Sequence, residues 1–511
     1  MQTLQGQHLL ILGLGASGLA MARWCTRQGA QVTVADTRTA PPQLTTLQTD
    51  CPQAQFIGGD FAQLHAEWLA TQSVRGVFKS PGLSPAQVAC VFEPAIATGL
   101  WVGGELDLFA HALSALNTQQ GYAPQVLAIT GTNGKTTTTS LTGMLIESSG
   151  QSVAMAGNIG PTLLDTLQQH LDAQAVQGEE QPLPQVWVLE LSSFQLDCFP
   201  GQSPRFEPTA ATVLNLTQDH LDWHGSMPAY AYAKARIFGQ QALMLLNRDD
   251  PLVMAMQPAD VKGKPTRNVV TFGADVPTRP GDWGLETVNG MTWLVRAHDV
   301  DETLRRKKGS VIEVYLQRLM PADALRIRGR HNATNALAAL ALAHSTGAAL
   351  GPMLFGLREY RGEPHRVEPV AIVRGIEYFD DSKGTNVGAT VAALRGLGPE
   401  RKLVVILGGD GKGQDFSPLA EPVVQYVRAL VLIGRDSSQI EQALQTTGVP
   451  MHHAASLEQA VQQCAQLAES GDAVVLSPAC ASLDMFRHYE HRAEVFCQAV
   501  RQWADECGEL V

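Results

Sequence analysis

The 511-residue chain has few charged residues, few aromatic residues and no paired cysteine motif. Charged residues make up 17% and hydrophobic residues 45% of the chain, a balance that is typical of globular domains and excludes a disordered protein. Eight scattered cysteines without a Cys-x-x-Cys pair predict unpaired core thiols in a reducing cytosol. No apolar run reaches the about 18 residues of a membrane span, and the N-terminus lacks the basic region of a signal peptide. We therefore expect a cytoplasmic protein.

Positive charge is also scarce. The chain has 37 Lys and Arg residues against 49 Asp and Glu residues, a net charge of −12. Because this balance disfavours contact with phosphate backbones and anionic lipids, we expect neither a nucleic-acid nor a membrane partner. At about 100–200 residues per domain, the length predicts three domains or four small ones.

Continuous Val, Ile and Leu runs that end in Gly, Ser or Pro predict the fold class. Such runs are typical of strands buried on both faces of a parallel sheet. We predict three consecutive α/β domains, at 1–119, 120–362 and 363–511. The polar stretch at 117–121 reads as the first linker, and 275–325 as an irregular region with β-like pieces.

A glycine-rich turn follows the first predicted strand. Gly13, Gly15 and Gly18 match the dinucleotide-binding fingerprint, and Asp36 lies 36 − 15 = 21 residues after Gly15, where a ribose-binding acid is expected. The pattern predicts a phosphate-bearing nucleotide without saying which, and close packing of helix on strand is the alternative explanation. Arg38 offers a positive charge to a second phosphate.

The strongest single motif lies in the second predicted domain. A strand at 126–130 is followed by Gly-Thr-Asn-Gly-Lys-Thr at 131–136 and then by a predicted helix. The glycines let backbone N–H groups surround phosphate oxygens, and the helix N-terminus favours negative charge. Lys135 is placed to reach a β- or γ-phosphate, and the Thr136 hydroxyl to ligate Mg²⁺. An ordinary glycine turn before a helix is the alternative.

Three further residues of this domain bear on metal binding. Glu190 ends a buried strand, where a carboxylate either holds Mg²⁺ or serves as a structural cap. His220 belongs to a dense polar cluster at 215–224 that suits either a metal or a loop of helix caps. Lys234 reads as a lysine on a helix surface, and its ammonium group would repel a metal ion.

Polar segments also follow three predicted strands of the third domain, at 379–386, 408–413 and 477–486. Ligands of open α/β sheets bind beyond the carboxyl ends of the strands. Lys383, Lys412 and a helix predicted to start at Ser482 favour an anionic ligand there. Each segment alone is equally compatible with a structural turn.

Taken in order, these motifs resemble the Mur ligases, a family of peptidoglycan precursor synthesis. The resemblance spans all three predicted domains and rests on seven segments: 131–137, 157–160, 190–196, 215–220, 331–335, 364–366 and 381–386. It implies a Rossmann-like N-terminal domain, a P-loop ATPase-like central domain and a Rossmann-like C-terminal domain. It also implies an ATP-dependent ligase that joins a carboxylate to an amine through an acyl phosphate and releases ADP and phosphate.

The two ends of the chain resemble the D-glutamate-adding branch of this family. The matching segments are 13–18 with 36–38, and 476–486. The resemblance implies a monomer with the substrates ATP, D-glutamate and UDP-N-acetylmuramoyl-L-alanine, and two Mg²⁺ sites that Mn²⁺ also suits. The alternatives are another Mur ligase, a folylpolyglutamate synthase, a nucleotide-switch protein and an NAD(P)-dependent oxidoreductase built on the first glycine loop.

The resemblance assigns roles to individual residues. The ATP-binding residues are Gly131, Thr132, Asn133, Gly134, Lys135, Thr136, Thr137, Asn332, Asn335, Arg366, Asp381 and Lys383. The residues that bind the UDP substrate are Gly15, Ser17, Asp36, Thr37, Arg38, Ser80, Gly82 and Asn158. The amino-acid-binding residues are Thr385, Lys412, Ser482, Leu483 and Phe486. The catalytic residues are Lys135, His220 and Lys234, and the metal ligands are Thr136, Glu190, His220 and Lys234.

Lys234 and Gly384 need a separate account. Lys234 is implied to be a carbamate, which turns a repelled cation into an anionic oxygen ligand. Gly384 stands where the family pattern has Ala, and it leaves the flanking Lys383 and Thr385 in place.

The glycine-lysine loop generates a direct test. We expect Lys135→Ala to abolish ATP-dependent phosphate release, because the ammonium group that offsets phosphate charge is lost. The circular dichroism spectrum and melting temperature should stay those of the wild type. Near-normal turnover in this variant would contradict a phosphate-binding role for the loop.

Overall fold

A computed structural model describes residues 3–178, 182–197, 206–261, 265–300, 313–327, 329–399 and 401–509. Over these residues the chain forms three successive α/β units, built on sheets of five, nine and six strands. The predicted fold class is therefore confirmed.

The first unit is a five-stranded parallel sheet in the order β3-β2-β1-β4-β5. Its elements are β1 His8–Leu12, α1 Ala16–Arg27, β2 Gln31–Asp36, α2 Leu44–Asp50, β3 Gln55–Gly58, α3 Ala66–Thr71, β4 Val74–Lys79, α4 Pro85–Ala97, β5 Trp101–Gly104 and α5 Glu105–Gln120. The strand order reverses between β1 and β4, and such a switch point opens a ligand crevice at the carboxyl ends of the strands.

The predicted linker at 117–121 is the last turn of α5. The helix continues because Leu116 is buried against the core. It ends at Gly121, whose backbone has a left-handed φ of 69°.

The second unit is a nine-stranded mixed sheet in the order β14-β13-β12-β11-β10-β9-β6-β8-β7. Its strands are β6 Gln125–Thr130, β7 Val153–Gly157, β8 Val186–Glu190, β9 Ala210–Val213, β10 Leu243–Asn247, β11 Val269–Phe272, β12 Trp283–Val288, β13 Met291–Asp299 and β14 Val314–Pro321. Its helices are α6 Lys135–Ser148, α7 Leu163–Gln177, α8 Ser193–Leu196, α9 Leu221–His224, α10 Met227–Ala235, α11 Pro251–Met254, α12 Arg330–His344 and α13 Leu350–Glu359.

The segment 275–325, expected to be irregular, adds an antiparallel extension to the parallel part of this sheet. Strand β13 pairs antiparallel with β12 on one side and with β14 on the other. Residues 301–312 lie outside the described residues.

The third unit is a six-stranded sheet in the order β15-β16-β20-β17-β18-β19, of which only β15 pairs antiparallel. Its strands are β15 Glu368–Val373, β16 Ile376–Asp380, β17 Leu403–Gly408, β18 Val427–Ile433, β19 Met451–His453 and β20 Ala473–Leu476. Its helices are α14 Val387–Leu397, α15 Ala420–Tyr426, α16 Ser437–Leu444, α17 Leu457–Leu467 and α18 Tyr489–Glu506.

The prediction that a helix starts at Ser482 is wrong. Ala481 forms an isolated β-bridge with Asp410, which holds this segment against the loop after β17. Helix α18 begins at Tyr489 instead, where the His488 side chain accepts a hydrogen bond from the His491 N–H.

The central strands are buried on both faces, as their continuous apolar runs predict. Every residue of β8 and β17 is buried, and each such Leu, Val or Ile side chain contributes roughly 1.5–3 kcal/mol to folding. The cysteines are only partly in this core: Cys90 is exposed and Cys497 and Cys507 are half-buried, because their helices turn these positions toward solvent. Cys198 lies outside the described residues. No helix of the described chain is long and apolar enough to span a membrane.

Candidate active site

A cleft of about 210 Å³ lies between the second and third units. Its walls are the loop after β6, the start of α12 and the loops around β16 and α14. It brings together seven of the twelve residues predicted to bind ATP: Asn133, Gly134, Thr137, Asn332, Asn335, Arg366 and Asp381. Thr137 of the loop and Asp381 are 381 − 137 = 244 positions apart in sequence, so the fold and not the sequence spacing makes them neighbours.

The glycine-lysine loop has a fixed backbone. Gly134 has a left-handed φ of 80°, and a Cβ there would lie 2.7 Å from the Asn335 Oδ1, so only glycine fits. The Asn215 side chain holds Asn133 at both backbone atoms: its Oδ1 accepts from the Asn133 N–H at 2.9 Å, and its Nδ2 donates to the Asn133 carbonyl at 3.0 Å. The Thr132 hydroxyl donates to the Thr217 carbonyl at 3.2 Å and accepts a hydrogen bond from the Thr217 N–H at 3.0 Å.

The side chains of Lys135 and Thr136 form hydrogen bonds with other groups of the protein. The Lys135 Nζ donates to the carbonyls of Gly131 and Thr132, at 2.9 Å each. The Thr136 hydroxyl accepts a hydrogen bond from the Arg366 guanidinium at 3.0 Å. A metal ion on Thr136 would therefore use the second lone pair of this oxygen or displace Arg366 from it.

Lys234 is buried, with 1% of its surface exposed, which corrects the prediction of a surface lysine. Tyr230 and Lys234, one helical turn apart on α10, lie on the face of the helix that packs inward. The Lys234 Nζ donates to the Gly131 carbonyl at 2.9 Å and to the Thr130 hydroxyl at 3.2 Å. Burial, with a smaller contribution from nearby Lys135, holds the pKa of Lys234 well below its ordinary value. Burial thus shifts the equilibrium of this side chain toward its neutral amine form.

Glu190 has the donor atoms that a magnesium ion requires. Its Oε1 accepts a hydrogen bond from the Asn158 Nδ2 at 2.8 Å. Its Oε2 is buried and has no hydrogen-bond partner among the described residues. An orphaned carboxylate oxygen in a buried position is strongly destabilising unless a cation or donor reaches it. This geometry fits a hard divalent cation at Glu190, and it shows that Asn158 orients the carboxylate.

His220 is also suited to bind a metal. It has a left-handed φ of 54° and precedes α9. Burial lowers its pKa, and Lys412, Lys135 and Lys234 lower it further against the opposing effect of Asp219. A neutral imidazole keeps a nitrogen lone pair that can bind a metal ion. The influence of Lys412 also shows that the third unit approaches this residue.

The predicted ligand face of the third unit is assembled by a residue that the sequence analysis missed. Arg492 of α18 is 1% exposed and donates to the Ser382 hydroxyl and carbonyl and to the Cys480 carbonyl. It thus joins the segments after β16 and β20. Tyr489, also missed, lies 5.4 Å from the Lys383 Nζ, measured to the ring centroid. An arginine in an amphipathic helix gives no sequence signal that separates it from solvent-exposed arginines.

The residues predicted to bind the amino acid differ in their surroundings. Thr385 is half-buried beside Lys383, and Ser482 is buried. Leu483 is 72% exposed, Lys412 is exposed, and Phe486 is half-buried against His491. A Cβ at Gly384 would lie 2.7 Å from the Asp381 Oδ2, which gives a local reason for the glycine at this position.

Seven of the eight residues predicted to bind the UDP substrate form a separate cluster in the first unit, whereas Asn158 follows β7 of the second unit and donates to Glu190. Gly15 precedes α1, Ser17 lies beside buried Glu105, Ser80 is buried next to the glycine loop, and Thr37 and Gly82 lie nearby on turns. This group occupies the carboxyl ends of β1, β2 and β4, as the switch point predicts.

Asp36 is already bound within this cluster. Its carboxylate accepts a hydrogen bond from the Leu14 N–H at 2.7 Å and two from the Arg38 guanidinium at 2.8 Å each. Burial acts against ionisation, but these hydrogen bonds prevail and lower the pKa of Asp36 to about 2. Asp36 therefore fixes the glycine loop as well as facing the crevice.

Asp381 generates a pH prediction. Burial raises the pKa of this carboxyl to about 7 from 3.8, so its contribution to stability is fully present below pH 3.8 and is lost as the pH rises through about 7. Asp381→Asn keeps an acceptor for Ser477 but does not titrate. We expect the melting temperature of the variant to rise relative to wild type between pH 5 and pH 8. Two parallel melting curves against pH would contradict this, and exposed Asp260→Asn is the matched control.

Comparison with known proteins adds independent findings. Residues 7–104 match the family model of the Mur ligase MurD-like N-terminal domain, residues 129–343 the Mur ligase middle domain, and residues 365–480 the Mur ligase glutamate ligase domain. The three matches fall on the three sheets described above.

Full-length relatives agree with these matches. The chain is 64% identical to the UDP-N-acetylmuramoylalanine–D-glutamate ligase of Albidiferax ferrireducens, over 99% of this chain and 98% of that protein. It is 54% identical to the protein of the same name from a Polaromonas species, over the whole of both chains. Among solved structures, the MurF ligase of Thermotoga maritima in complex with ADP superposes with a TM-score of 0.56 at 14% identity, over 99% of this chain and all of that one.

Proposed function

The chain belongs to the Mur ligase family, and from this we propose that it joins D-glutamate to UDP-N-acetylmuramoyl-L-alanine in a reaction driven by ATP. The enzyme is an ATP-dependent ligase that forms a C–N bond. The observation that carries the proposal is the cleft in which the glycine-lysine loop meets Arg366 and Asp381 of the third unit. The nicotinamide-dependent alternative leaves this cleft without a role.

The first chemical step activates a poor electrophile. The L-alanyl carboxylate attacks the γ-phosphorus of ATP, the bond to the β-phosphate oxygen breaks, and an acyl phosphate and ADP result. Two anions approach each other in this step. Lys135 and Arg366 supply positive charge where the phosphates would lie, which supports a role in offsetting this repulsion.

Magnesium is the expected partner of ATP in this cleft. We propose that Thr136 and Glu190 hold one ion and that His220 and Lys234 hold a second, with Mn²⁺ as an alternative metal. When bound, the ions neutralise phosphate charge in the transition state. The orphaned Glu190 Oε2 and the lowered pKa of His220 support these assignments.

The second step forms the amide bond. The D-glutamate amine attacks the acyl carbon, a tetrahedral intermediate forms, and phosphate leaves as the amine gives up its proton. We propose that the amino acid contacts Thr385, Lys412, Ser482, Leu483 and Phe486. The cationic Lys412, close enough to His220 to lower its pKa, supports a site for a dicarboxylate at this domain junction. Burial of the intermediate between the units would exclude water.

We propose that the UDP moiety is held by Gly15, Ser17, Asp36, Thr37, Arg38, Ser80 and Gly82, with Asn158 nearer the muramoyl group. The clustering of these residues at the switch point of the first sheet supports this assignment. We also propose a monomer in the cytoplasm. All of the residues assigned above lie on one chain, so no second copy is needed to complete the site.

The burial of Lys234 supports a carbamate at this position. A neutral amine attacks carbon dioxide, and the product is a carbamate anion with release of one proton. Burial favours that neutral amine, and Lys135 lies near enough to lower its pKa further. Conversion of Lys234 to an anion would place opposite charges at Lys234 and Lys135. We therefore propose that Lys234 is a carbamate in the active enzyme.

The assignment of the substrates is tested by phosphate release with ATP, UDP-N-acetylmuramoyl-L-alanine and a panel of amino acids. We expect release to depend on D-glutamate and to be at least about tenfold slower with L-glutamate, L-alanine, L-lysine and diaminopimelate, because charge and chirality select the amine that reaches the acyl phosphate. Release that is equal for all amino acids would defeat the assignment.

The carbamate is tested with Lys234→Ala. We expect turnover to fall by at least about a hundredfold, as for loss of one transition-state charge contact, and to return partly when formate, acetate or propionate restores a carboxylate in the gap. Chloride salts at equal ionic strength should not restore it. Lys402→Ala, at an exposed contact with the Gln425 carbonyl, is the matched control. A fully active Lys234→Ala enzyme would reject the metal role.

A further inference from the structure

A reciprocal pair of side-chain amides joins the glycine-lysine loop to the third unit. The Asn133 Nδ2 donates to the Asn386 Oδ1 at 3.3 Å, and the Asn386 Nδ2 donates to the Asn133 Oδ1 at 3.1 Å. The two residues are 253 positions apart in sequence. Asn386 is buried and Asn133 is half-buried, so both hydrogen bonds are partly shielded from solvent, which strengthens them.

Both partners of this amide pair are held in place by their own units. Asn133 is bonded at its backbone N–H and carbonyl by the Asn215 side chain. Asn386 caps α14, because its Oδ1 also accepts the Ala389 N–H at 2.9 Å. The pair therefore connects two rigid elements, the phosphate loop and the first turn of α14, and any change in the angle between the units would break it.

A second contact lies at Gly388, the second residue of α14. A Cβ on Gly388 would lie 2.7 Å from the Thr217 Oγ1 and 3.1 Å from the Asn133 Nδ2. The backbone of Gly388 has no left-handed φ, so the helix itself does not require glycine here. The requirement comes from the close approach of the middle unit.

From these contacts we infer that the Asn133–Asn386 pair, with Gly388 seated against Thr217, sets the register of the third unit on the phosphate loop. Asn386 follows Thr385, which is proposed to bind D-glutamate, and Asn133 precedes Gly134 and Lys135 of the loop proposed to bind phosphate. The pair thus fixes the distance between the amine and the acyl phosphate. Asn133 and Asn386 are therefore positioning residues. The inference rests on the proposed function and adds to it.

The pair is tested by a double-mutant cycle. Asn386→Ser keeps a cap for α14 but is too short to reach Asn133, and Asn133→Ala leaves the backbone bonds to Asn215 intact. We expect each variant to lower kcat/KM for D-glutamate about tenfold, the equivalent of one net hydrogen-bond interaction. The double variant should show the same tenfold loss, because both changes remove one interaction. Losses that multiply to about a hundredfold would overturn the inference.

Three measurements separate positioning from a general structural effect. The melting temperatures of the variants should match wild type, and the affinity for UDP-N-acetylmuramoyl-L-alanine without ATP should change less than twofold. Ser456→Ala, which removes the cap of α17 elsewhere in the third unit, should leave the kinetics unchanged. Losses that follow the melting temperature, or that Ser456→Ala reproduces, would contradict a positioning role.

The same double-mutant cycle can be measured on the dissociation constant of Mg·ADP, without any amino acid present. This readout reports on the pair because residues of α14 line the same cleft as Asn133. If wild type shows no D-glutamate-dependent phosphate release while the ADP cycle is non-additive, the proposed substrate fails and the pair stands. If release depends on D-glutamate and both cycles are additive, the proposed function stands and the pair fails.

Gly388→Ala provides a second, independent variant. Alanine favours a helix more than glycine does, so we expect the melting temperature to hold or rise while kcat/KM for D-glutamate falls about tenfold, as for one lost interdomain hydrogen-bond contact. Gly351→Ala is the matched control: Gly351 is likewise the second residue of its helix, α13, but has no atom within 4 Å of a built Cβ. Full activity in Gly388→Ala would contradict the close approach on which the inference rests.

Discussion

Two lysines, Lys135 and Lys234, donate to one carbonyl oxygen, that of Gly131, and much of the site follows from this crowding of positive charge. Burial deprives both side chains of water and lowers the pKa of both lysines, and it favours anions close to this loop. Burial lowers the pKa of Lys135, and the nearby carboxylate of Glu190 opposes that shift only in part. The same electrostatic imbalance makes the cleft receptive to a polyphosphate with its divalent cations, and it gives the lysine on α10 a chemical state that an exposed lysine lacks.

The arrangement of the parallel sheets places this positively charged loop at the junction between the second and third units. In each unit the polar loops follow the carboxyl ends of buried strands, and in the second and third units these ends face a common cleft. Helix α14 lies along that cleft with Gly388 and Gly396 at its contacts with the middle unit, where larger side chains would meet Thr217 and His331. Small residues thus allow two rigid bodies to approach within hydrogen-bond distance, so that Asn386 reaches Asn133.

The parts of the site that depend on neighbouring residues in sequence were predictable, and the parts that depend on packing were not. The glycine-lysine loop, the three α/β units and the strand-end position of Glu190 follow from short patterns. The burial of Lys234 depends on how α10 docks, so its sequence resembles that of any surface helix. Arg492 acts through α18, more than 100 residues from Ser382. The helix expected at Ser482 failed because the bridge between Ala481 and Asp410 holds the backbone in an extended form.

The carboxylate of Asp36 has a consequence for how the first unit meets a ligand. Both of its oxygens are engaged, by the Leu14 N–H and by Arg38, and it stays ionised down to acid pH. The glycine turn therefore has its final shape before any nucleotide arrives. Association at a preorganised turn loses little conformational entropy, so a ligand of the kind proposed for this crevice would meet a surface that is already in its bound shape.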